Sequence, residues 1–327
     1  MKVLVTGGAG FIGSHLSEAL LARGDEVWAL DDLSTGRLSN LTTFESHAKF
    51  RFVEGSVTDP PTVASILDRA DLVFHLAAAV GVKYVVENPL KSLLTNIRGA
   101  EVVLEAAARR GLKTVLFSSS EVYGKGTGEP LREDDDQLLG PTSVSRWSYA
   151  TGKAVDEFLA LAYFKERKLP TVIVRCFNTC GPRQRGEYGM VIPRFVEAAL
   201  RGEPITIYGT GLQTRCFSYV GDVVRGVLML ADSDGAGGQV FNIGTGEEIS
   251  IHGLAEKIKA ATKSDSRIVV IPYEEVYGTA FEDMNRRVPD LGKIHRLVGY
   301  EPEVTLDELL AKTIAEMAQQ LGLPSPV

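Results

Sequence analysis

A glycine-rich loop directly after the first predicted strand limits the possible folds of this chain more than any other feature. Residues 2–6 are predicted to form a short buried strand, and the chain continues as Thr6-Gly7-Gly8-Ala9-Gly10-Phe11-Ile12-Gly13 before a helix predicted from residue 14. Glycines at this spacing let the backbone turn tightly and approach a pyrophosphate, which the positive end of the helix stabilises. Strand, loop and helix together predict the first unit of a dinucleotide-binding fold.

Strands and helices are predicted to alternate through the first half of the chain. Further strands are expected at 26–31, 50–54, 72–75, 114–118 and 171–176, and helices at 14–22, 62–69, 97–110 and 149–165. Right-handed crossovers place such helices on both faces of a parallel sheet. We therefore predict an α/β fold, a doubly wound parallel sheet of the Rossmann type.

The second half of the chain predicts a smaller C-terminal lobe that is interleaved with the sheet. Helices are expected at 193–201, 222–231, 251–262 and 306–321, and strands at 205–208 and 268–271, while a strand at 240–242 rejoins the sheet. We assign residues 1–180, with the strand near 240–243, to the dinucleotide-binding domain. Residues 181–327 are expected to form mainly a substrate-binding lobe.

Asp31 indicates which dinucleotide the loop binds. It ends the second predicted strand, where a carboxylate accepts hydrogen bonds from the adenosine ribose and repels a 2′-phosphate. NAD is therefore favoured over NADP, and residues 1–180 are expected to form an NAD-binding domain. The alternative is a purely structural glycine turn that happens to lie near a surface aspartate. It would not explain why a strand, a glycine loop, a helix and an acidic residue follow one another in this order.

Composition narrows the possible partners and compartments. A formal charge of −7 with no basic run argues against nucleic acid and against an anionic membrane surface as partners. No apolar run reaches the length of a membrane span, and no signal-peptide pattern follows Met1, so we expect a cytoplasmic location. The cysteines, Cys176, Cys180 and Cys216, have no companion ligands, and we expect neither a disulfide framework nor a metal site.

Two further segments contain the candidate catalytic groups. Residues 118–124, Ser-Ser-Ser-Glu-Val-Tyr-Gly, follow the fifth predicted strand, and Tyr149-Ala150-Thr151-Gly152-Lys153 begins a predicted helix. Residues four apart share one helix face, so Tyr149 and Lys153 can reach one substrate and one nicotinamide ribose. We expect the ammonium of Lys153 to lower the pKa of Tyr149, so that the phenol can take a proton from an alcohol while hydride passes to the nicotinamide.

These motifs resemble those of the extended short-chain dehydrogenase/reductases, the family of nucleotide-sugar epimerases, dehydratases and decarboxylases. The resemblance extends over almost the whole chain. The marks are the glycine loop, His75-Leu76-Ala77-Ala78, Ser119-Ser120-Glu121-Val122-Tyr123-Gly124, Tyr149 with Lys153, and Arg175-Cys176-Phe177-Asn178 before Gly181-Pro182-Arg183. The residues expected to contact NAD are Gly7, Gly10, Phe11, Ile12, Gly13, Asp31, Val57, Leu76, Ala77, Tyr149 and Lys153. Ser56 departs from the family, which often has an aspartate facing adenine there, so adenine contacts would rest on Val57.

Within this family the sequence is most similar to the UDP-glucuronate decarboxylases. The similar segments are 140–149 with Arg146 before Tyr149, Tyr84 before Asn88-Pro89, Glu121 beside Ser119 and Ser120, and 281–290 with Arg287. The resemblance implies that Tyr149 takes the proton of the sugar 4-hydroxyl and that the resulting β-keto acid loses carbon dioxide. Glu121, Ser120 and Arg287 would orient the carboxylate and stabilise the enolate, Ser119 belongs to the same catalytic set, and returned hydride would give UDP-xylose.

Other functions stay open at this stage. A 4,6-dehydratase also uses a glutamate at the position of Glu121, but those enzymes usually carry an Asp-Glu pair, whereas Ser120 precedes it here. A UDP-sugar 4-epimerase acting on UDP-glucuronate or UDP-glucose is the main alternative, because the same fold can return hydride to the other face of the keto-sugar. A non-catalytic NAD-sensing protein is not expected to retain both Tyr149 and Lys153. Arg287 could also be a solvated arginine in a charged loop.

Residues 178–215 resemble the nucleotide clamp of this family. Asn178 can donate to a phosphate, Arg215 can bind the diphosphate through its planar fork, and Tyr208 can cover the base. With Tyr84 and Arg287 they form the predicted substrate-binding set, and the lobe of residues 181–327 is expected to bind mainly the nucleotide-sugar. Uridine as the base is implied by the resemblance alone.

The expected assembly is a homodimer. The predicted helices at 97–110 and 149–165 resemble the pair that builds a four-helix dimer interface in relatives. A symmetric pair is also the commonest oligomer of soluble proteins.

Overall fold

The computed structural model describes residues 1–126, 129–187, 189–277 and 284–326. Its strands are β1 (Lys2–Thr6), β2 (Glu26–Asp31), β3 (Phe50–Glu54), β4 (Leu72–His75), β5 (Lys113–Ser119), β6 (Thr171–Cys176), β7 (Thr179–Cys180), β8 (Ile205–Tyr208), β9 (Thr214–Cys216), β10 (Ser218–Tyr219), β11 (Gln239–Ile243), β12 (Glu248–Ser250), β13 (Ile268–Ile271) and β14 (Arg286–Arg287). Its helices are α1 (Phe11–Ala22), α2 (Pro60–Leu67), α3 (Val82–Glu87), α4 (Pro89–Ala108), α5 (Trp147–Arg167), α6 (Val191–Arg201), α7 (Val220–Asp232), α8 (Ile251–Ala261), α9 (Tyr273–Tyr277), α10 (Gly292–Val298) and α11 (Leu306–Gln320). Short 3-10 turns lie at Leu38–Asn40, Ser120–Tyr123 and Asp234–Ala236.

The main sheet has seven strands in the order β3-β2-β1-β4-β5-β6-β11, and every neighbouring pair is parallel. This order confirms the predicted doubly wound Rossmann fold. The direction of strand addition reverses between β1 and β4, where Thr6 pairs with His75 at the carboxyl ends. Ligands of such sheets bind in the crevice at that reversal, and the glycine loop leaves β1 at this point.

Helices cover both faces of the sheet because its strands are apolar on both sides. Along β1, Val3 and Val5 belong to a buried core with Leu16 of α1 and Val227 of α7. Leu4, between them, belongs to a second core that α2, α4 and α5 complete. Successive side chains of a strand alternate between the two faces, so a continuous apolar run suits a sheet that is buried on both sides.

The second half of the chain folds mainly into a smaller lobe around its own core. Phe195 of α6, Leu254 of α8 and Leu309 of α11 cluster with Ile205 of β8, and all four are fully buried. β11 comes from this half of the sequence but pairs with β6 in the large sheet, so the two parts of the chain are interleaved. A domain division near residue 180 stays a prediction.

The structure differs from the predicted elements at helix starts and at very short strands. α4 begins at Pro89 rather than at residue 97, because proline fits the first turn of a helix, where its missing N–H costs no hydrogen bond. α1 likewise begins at Phe11 rather than at residue 14. β7, β10 and β14 have two residues each, which is too short for a periodic pattern to predict them.

Candidate active site

One cleft of about 500 Å³ joins the carboxyl edge of the sheet to the smaller lobe, and every predicted site residue lines it. The residues predicted to contact the dinucleotide are Gly7, Gly10, Phe11, Ile12, Gly13, Asp31, Val57, Leu76, Ala77, Tyr149 and Lys153. The residues predicted to contact the sugar-nucleotide or to act in catalysis are Tyr84, Ser119, Ser120, Glu121, Asn178, Tyr208, Arg215 and Arg287. The fold brings all of them together, while the role of each stays a prediction. Of the segment 281–290, residues 281–283 lie outside the described residues.

The glycine loop is packed so tightly that side chains are excluded at two of its positions. Gly7 has a φ of +69°, a left-handed conformation, and a Cβ there would lie 2.9 Å from the backbone nitrogen of Ala77. A Cβ on Gly13 would overlap the carbonyl oxygen of Gly7. The first turn of α1 follows the loop directly, so its free N–H groups are available to a pyrophosphate in the cleft.

Asp31 ties the loop to the end of β2 and lines the same cleft. Its Oδ2 accepts a hydrogen bond from the Ala9 N–H at 3.0 Å, and its Oδ1 accepts one from the Leu33 N–H at 2.8 Å. Burial raises the pKa of Asp31 above its usual value, although these backbone donors oppose the shift. A carboxylate held beside the loop fits an adenosine ribose, so loop and acid together fit an NAD-type dinucleotide.

Thr6 and His75 hold together the two strand ends at which the sheet reverses. The Thr6 Oγ1 accepts hydrogen bonds from the N–H groups of Leu76 and Ala77, both at 3.1 Å, and lies 2.8 Å from Nδ1 of His75. Burial, with the nearby Lys153 ammonium, lowers the pKa of His75 to about 3. The imidazole is therefore neutral at physiological pH and acts here as a hydrogen-bonded spacer between β1 and β4.

Tyr149 and Lys153 lie in the first turns of α5, as their spacing predicts. The phenol is hydrogen-bonded to the side chain of Ser119. The Lys153 ammonium is buried, where it donates to the carbonyl oxygen of Phe117 at 3.0 Å and to Oδ2 of Asp156 at 3.1 Å. Asp156 lies outside the sequence motifs described above, and it was not predicted as a site residue.

The expected effect of Lys153 on Tyr149 is wrong for the protein groups alone. Burial and the Glu121 carboxylate raise the pKa of Tyr149 above its usual value, and Asp156 acts in the same direction. The ammonium of Lys153 is itself paired with the Asp156 carboxylate, with 3.1 Å between Nζ and Oδ2. The hydrogen bond with the Ser119 side chain lowers the pKa, and the positive charge of a bound nicotinamide ring would act in the same direction.

Glu121 lies between two guanidinium groups. It belongs to the 3-10 turn that follows β5, where its N–H donates to Oγ of Ser119 at 3.2 Å. One carboxylate oxygen is bonded by Nη1 of Arg287, and the other lies 3.1 Å from Nη2 of Arg146. Burial opposes ionisation, but the two arginines outweigh it and hold the pKa of Glu121 at about 2, so the group is a carboxylate throughout the physiological range.

Arg287 is a buried side chain rather than a solvated loop arginine. Only 8% of the residue is exposed, and its Nη2 donates to Oδ1 of Asn178 at 2.8 Å. β14 pairs with β9 so that Arg287 lies opposite Arg215, which is also buried. Nε of Arg287 is buried, and it has no hydrogen-bond partner among the described residues.

The predicted nucleotide clamp shares the cleft with groups that were not predicted. One N–H of the Asn178 amide already donates to the Cys216 carbonyl at 2.8 Å, so a phosphate contact would use the other. The guanidinium of Arg194 lies 4.0 Å from the ring centroid of Tyr208 and covers one face of it. Arg194 belongs to α6, and an arginine in an amphipathic helix gives no signal of a binding role in the sequence.

The chain is similar to known nucleotide-sugar enzymes over nearly its whole length. A family model described as the NAD dependent epimerase/dehydratase family matches residues 3–244. The chain is 42% identical to UDP-N-acetyl-alpha-D-glucosaminuronate decarboxylase of Bacillus cytotoxicus, over 96% of each protein. It is 37% identical to UDP-glucuronic acid decarboxylase 1 of Danio rerio, over 98% of this chain and 73% of that enzyme.

The fold is also similar to the folds of solved nucleotide-sugar epimerases, including the following two. UDP-glucuronic acid 4-epimerase of Bacillus cereus, solved with UDP-glucuronic acid and NAD, superposes with a TM-score of 0.89 and 29% identity, over 98% of this chain and all of that one. UDP-glucose 4-epimerase of Thermotoga maritima, solved with UDP-glucose, superposes with a TM-score of 0.88 and 33% identity, again over 98% and 100% of the two chains.

Proposed function

The chain belongs to the NAD-dependent epimerase/dehydratase family, and from that premise we propose that it decarboxylates the uronic acid sugar of a UDP-sugar, with NAD as its cofactor. The observation that carries the proposal is the pair of guanidinium groups, from Arg146 and Arg287, at the two carboxylate oxygens of Glu121. This cluster lies in the same cleft as Tyr149 and Lys153.

The charge balance of this cluster suits a substrate that carries a carboxylate. Two arginines, Arg146 and Arg287, surround one glutamate, so one positive charge remains in excess within this cluster. A guanidinium binds a carboxylate strongly and with a defined orientation through its planar set of N–H donors, and both Arg146 and Arg287 line the cleft. The sugar ring of a UDP-hexose carries no charge that could pair with this excess, whereas the ring of a UDP-uronate carries a carboxylate.

The chain supplies the proton transfer and the charge stabilisation of the proposed reaction. Tyr149, hydrogen-bonded to Ser119, takes the proton of the sugar 4-hydroxyl. NAD, when bound in the cleft, would supply the acceptor for the C4 hydride and the hydride that reduces C4 again after carbon dioxide has left. Between these events the C5–C6 bond breaks, its electron pair moves towards the C4 carbonyl, and C5 takes up a proton from water. The phenol of Tyr149, now protonated, donates to the enolate oxygen, while Arg146 and Arg287 orient the carboxylate before it leaves.

The proposal is tested by incubating the purified enzyme with two sugars, UDP-glucuronate and UDP-N-acetylglucosaminuronate, followed by chromatography that separates isomers and mass spectrometry of each separated nucleotide-sugar. Both are included because the similar decarboxylases are named for one or the other. We expect one of them to lose the mass of carbon dioxide, with UDP-xylose as the product of UDP-glucuronate. An isomer of unchanged mass would contradict decarboxylation and support the 4-epimerase alternative, which the similarity to UDP-glucuronic acid 4-epimerase favours.

A protein that binds NAD and leaves both uronates and UDP-glucose unchanged would support the non-catalytic alternative. The buried Lys153–Asp156 pair and the buried Glu121 cluster argue against it. Burying charges costs free energy that a protein without this chemistry has no reason to bear.

We also propose that the enzyme is a homodimer that associates through α4 and α5. These two helices pack against each other, and large apolar side chains stay exposed on them, with Leu90 70%, Leu94 60% and Phe158 69% exposed. Replacing both Leu94 and Phe158 by glutamate is expected to give monomers in analytical ultracentrifugation, because charges would have to be buried at the interface. Leu297→Glu, on α10, is the control and should leave the sedimentation unchanged. A double variant that still sediments as a dimer would contradict this interface.

A cytoplasmic location completes the proposal. Among the described residues, no helix has the length and apolarity that a membrane span requires. The three cysteines are free thiols, as is usual in a reducing compartment. Cell fractionation of the tagged protein tests the location.

A further inference from the structure

We propose that Asp156 is a positioning residue of the proton-transfer centre, because its carboxylate holds the Lys153 ammonium and thereby sets how easily Tyr149 gives up its proton. The inference rests on the proposed function in so far as Tyr149 is the base of the reaction. It assigns a role to a residue that none of the sequence motifs includes.

The geometry gives Asp156 one polar partner among the described residues. It lies one helical turn after Lys153 on α5 and is fully buried. Its Oδ2 is 3.1 Å from Nζ of Lys153, while its Oδ1 is buried without a hydrogen-bond partner in the described part of the chain. A buried carboxylate that is only half satisfied destabilises a protein, so its presence calls for an explanation other than stability.

The neighbouring acid on the same helix shows what a structural carboxylate looks like here. Glu157 accepts from Oγ of Ser118 at 2.5 Å and from Nε and Nη2 of Arg175 at 2.9 and 2.7 Å. Both of its oxygens are satisfied, and it joins α5 to β5 and β6. Asp156 makes no such link between elements, since its partner Lys153 belongs to the same helix.

The effect of Asp156 on the ionisation of Tyr149 depends on the other titratable groups around Tyr149 and Lys153. Glu121, which follows β5, and Cys176 of β6 both raise the pKa of the Tyr149 phenol. His75 of β4 and Cys176 lie near the Lys153 ammonium. Glu157 acts on Asp156 itself. Within this set, Asp156 both neutralises Lys153 and adds its own negative charge near Tyr149. Its removal would therefore free the ammonium to act on the phenol, and both effects favour the phenolate.

The test is Asp156→Asn, which keeps the shape of the side chain and removes its charge, in the NAD-bound enzyme. The acidic limb of the pH profile of kcat is expected to move to lower pH by about one unit, because an opposite charge is no longer neutralised beside the phenol. The maximal kcat is expected to fall about tenfold, because Lys153 loses the group that holds it. Ultraviolet difference titration, with Tyr149→Phe as the reference, should show the same shift for the phenol.

Asp307→Asn is the matched control, because Asp307 also pairs with a lysine, Lys257, but at the surface. It should leave both the pH profile and the titration unchanged. If Asp156→Asn alters only the melting temperature, with neither the pH limb nor the phenol titration moved, the positioning role is wrong. Asp156→Leu gives the same two measurements should the asparagine variant fold poorly. Because the phenol titration needs no sugar, failure of the decarboxylase assignment would leave it interpretable.

Discussion

Replacing Tyr149 by phenylalanine is expected to lower kcat by about 10²–10⁴-fold, the usual contribution of one positioned acid–base group. The substitution keeps the ring that lines the cleft and removes only the oxygen that bonds to Ser119. Sugar oxidation in a single turnover, followed by the absorbance of reduced NAD, measures the step directly. The amount of NAD that copurifies should change little, which would separate loss of chemistry from loss of the cofactor.

Tyr123→Phe is the control for this substitution. Tyr123 is buried in the turn after β5 and donates to Oδ1 of Asn242 at 2.7 Å, but it does not line the cleft. Its variant should lose stability by about 1 kcal/mol while turnover stays within a few-fold of normal. Full turnover by the Tyr149 variant would mean that another group takes the proton, and the proposed mechanism would fall.

The activity should also depend on pH in a direction that the site determines. Burial and Glu121 raise the pKa of Tyr149, so the phenol is protonated unless bound NAD supplies opposing charge. A base has to be deprotonated, and activity is therefore expected to decrease as the pH falls through the pKa of Tyr149 in the complex. Tyr149 would thus account for the acidic limb of the wild-type profile.

Replacing Arg287 by alanine is expected to lower kcat/KM for the uronate about 10²–10³-fold. Truncating one member of a buried, hydrogen-bonded charge pair costs about 2–5 kcal/mol, and about 1.4 kcal/mol corresponds to a factor of ten. The variant removes the group proposed to orient the sugar carboxylate and leaves Glu121 paired with Arg146. The pKa of Glu121 should rise from about 2 towards its usual range, because one of the two guanidinium groups is gone. Release of carbon dioxide from labelled substrate measures the effect.

The adjacent residue provides the matched control for Arg287. Arg286 is also in β14, but it points to Glu248 at the surface, with 2.9 Å between Nη2 and Oε2. Exposed ion pairs of this kind contribute little, so Arg286→Ala should change kcat/KM less than about threefold. Equal effects of the two substitutions would contradict the assignment of Arg287 to the sugar carboxylate.

Parts of the site could be predicted wherever neighbours in the sequence determine the geometry. The positions of Gly7 and Gly13 follow from the turn between a strand and a helix, and Tyr149 and Lys153 share a helix face by their spacing alone. These predictions needed no knowledge of distant contacts. The order of strands and helices was predictable for the same reason.

The rest depends on contacts between segments that are far apart in the sequence. Arg146 was noted only as part of a resemblance, since its partner Glu121 belongs to another loop. The direction of the Tyr149 pKa was predicted wrongly because burial of the phenol and the nearby Glu121 carboxylate raise this pKa, and only the fold shows both. How strongly a charged side chain shifts the pKa of its neighbour depends on the burial of both groups and on the other charges around them.

The position of β11 has a consequence for how the chain can be divided. A fragment that stopped at residue 180 would keep β6 but lose its outer neighbour, and the backbone groups that β6 shares with β11 would face water. Such an unpaired edge promotes aggregation between copies. The predicted boundary near residue 180 is therefore not a point at which the polypeptide can be cut, because the seven-stranded sheet is complete only when residue 243 has been synthesised.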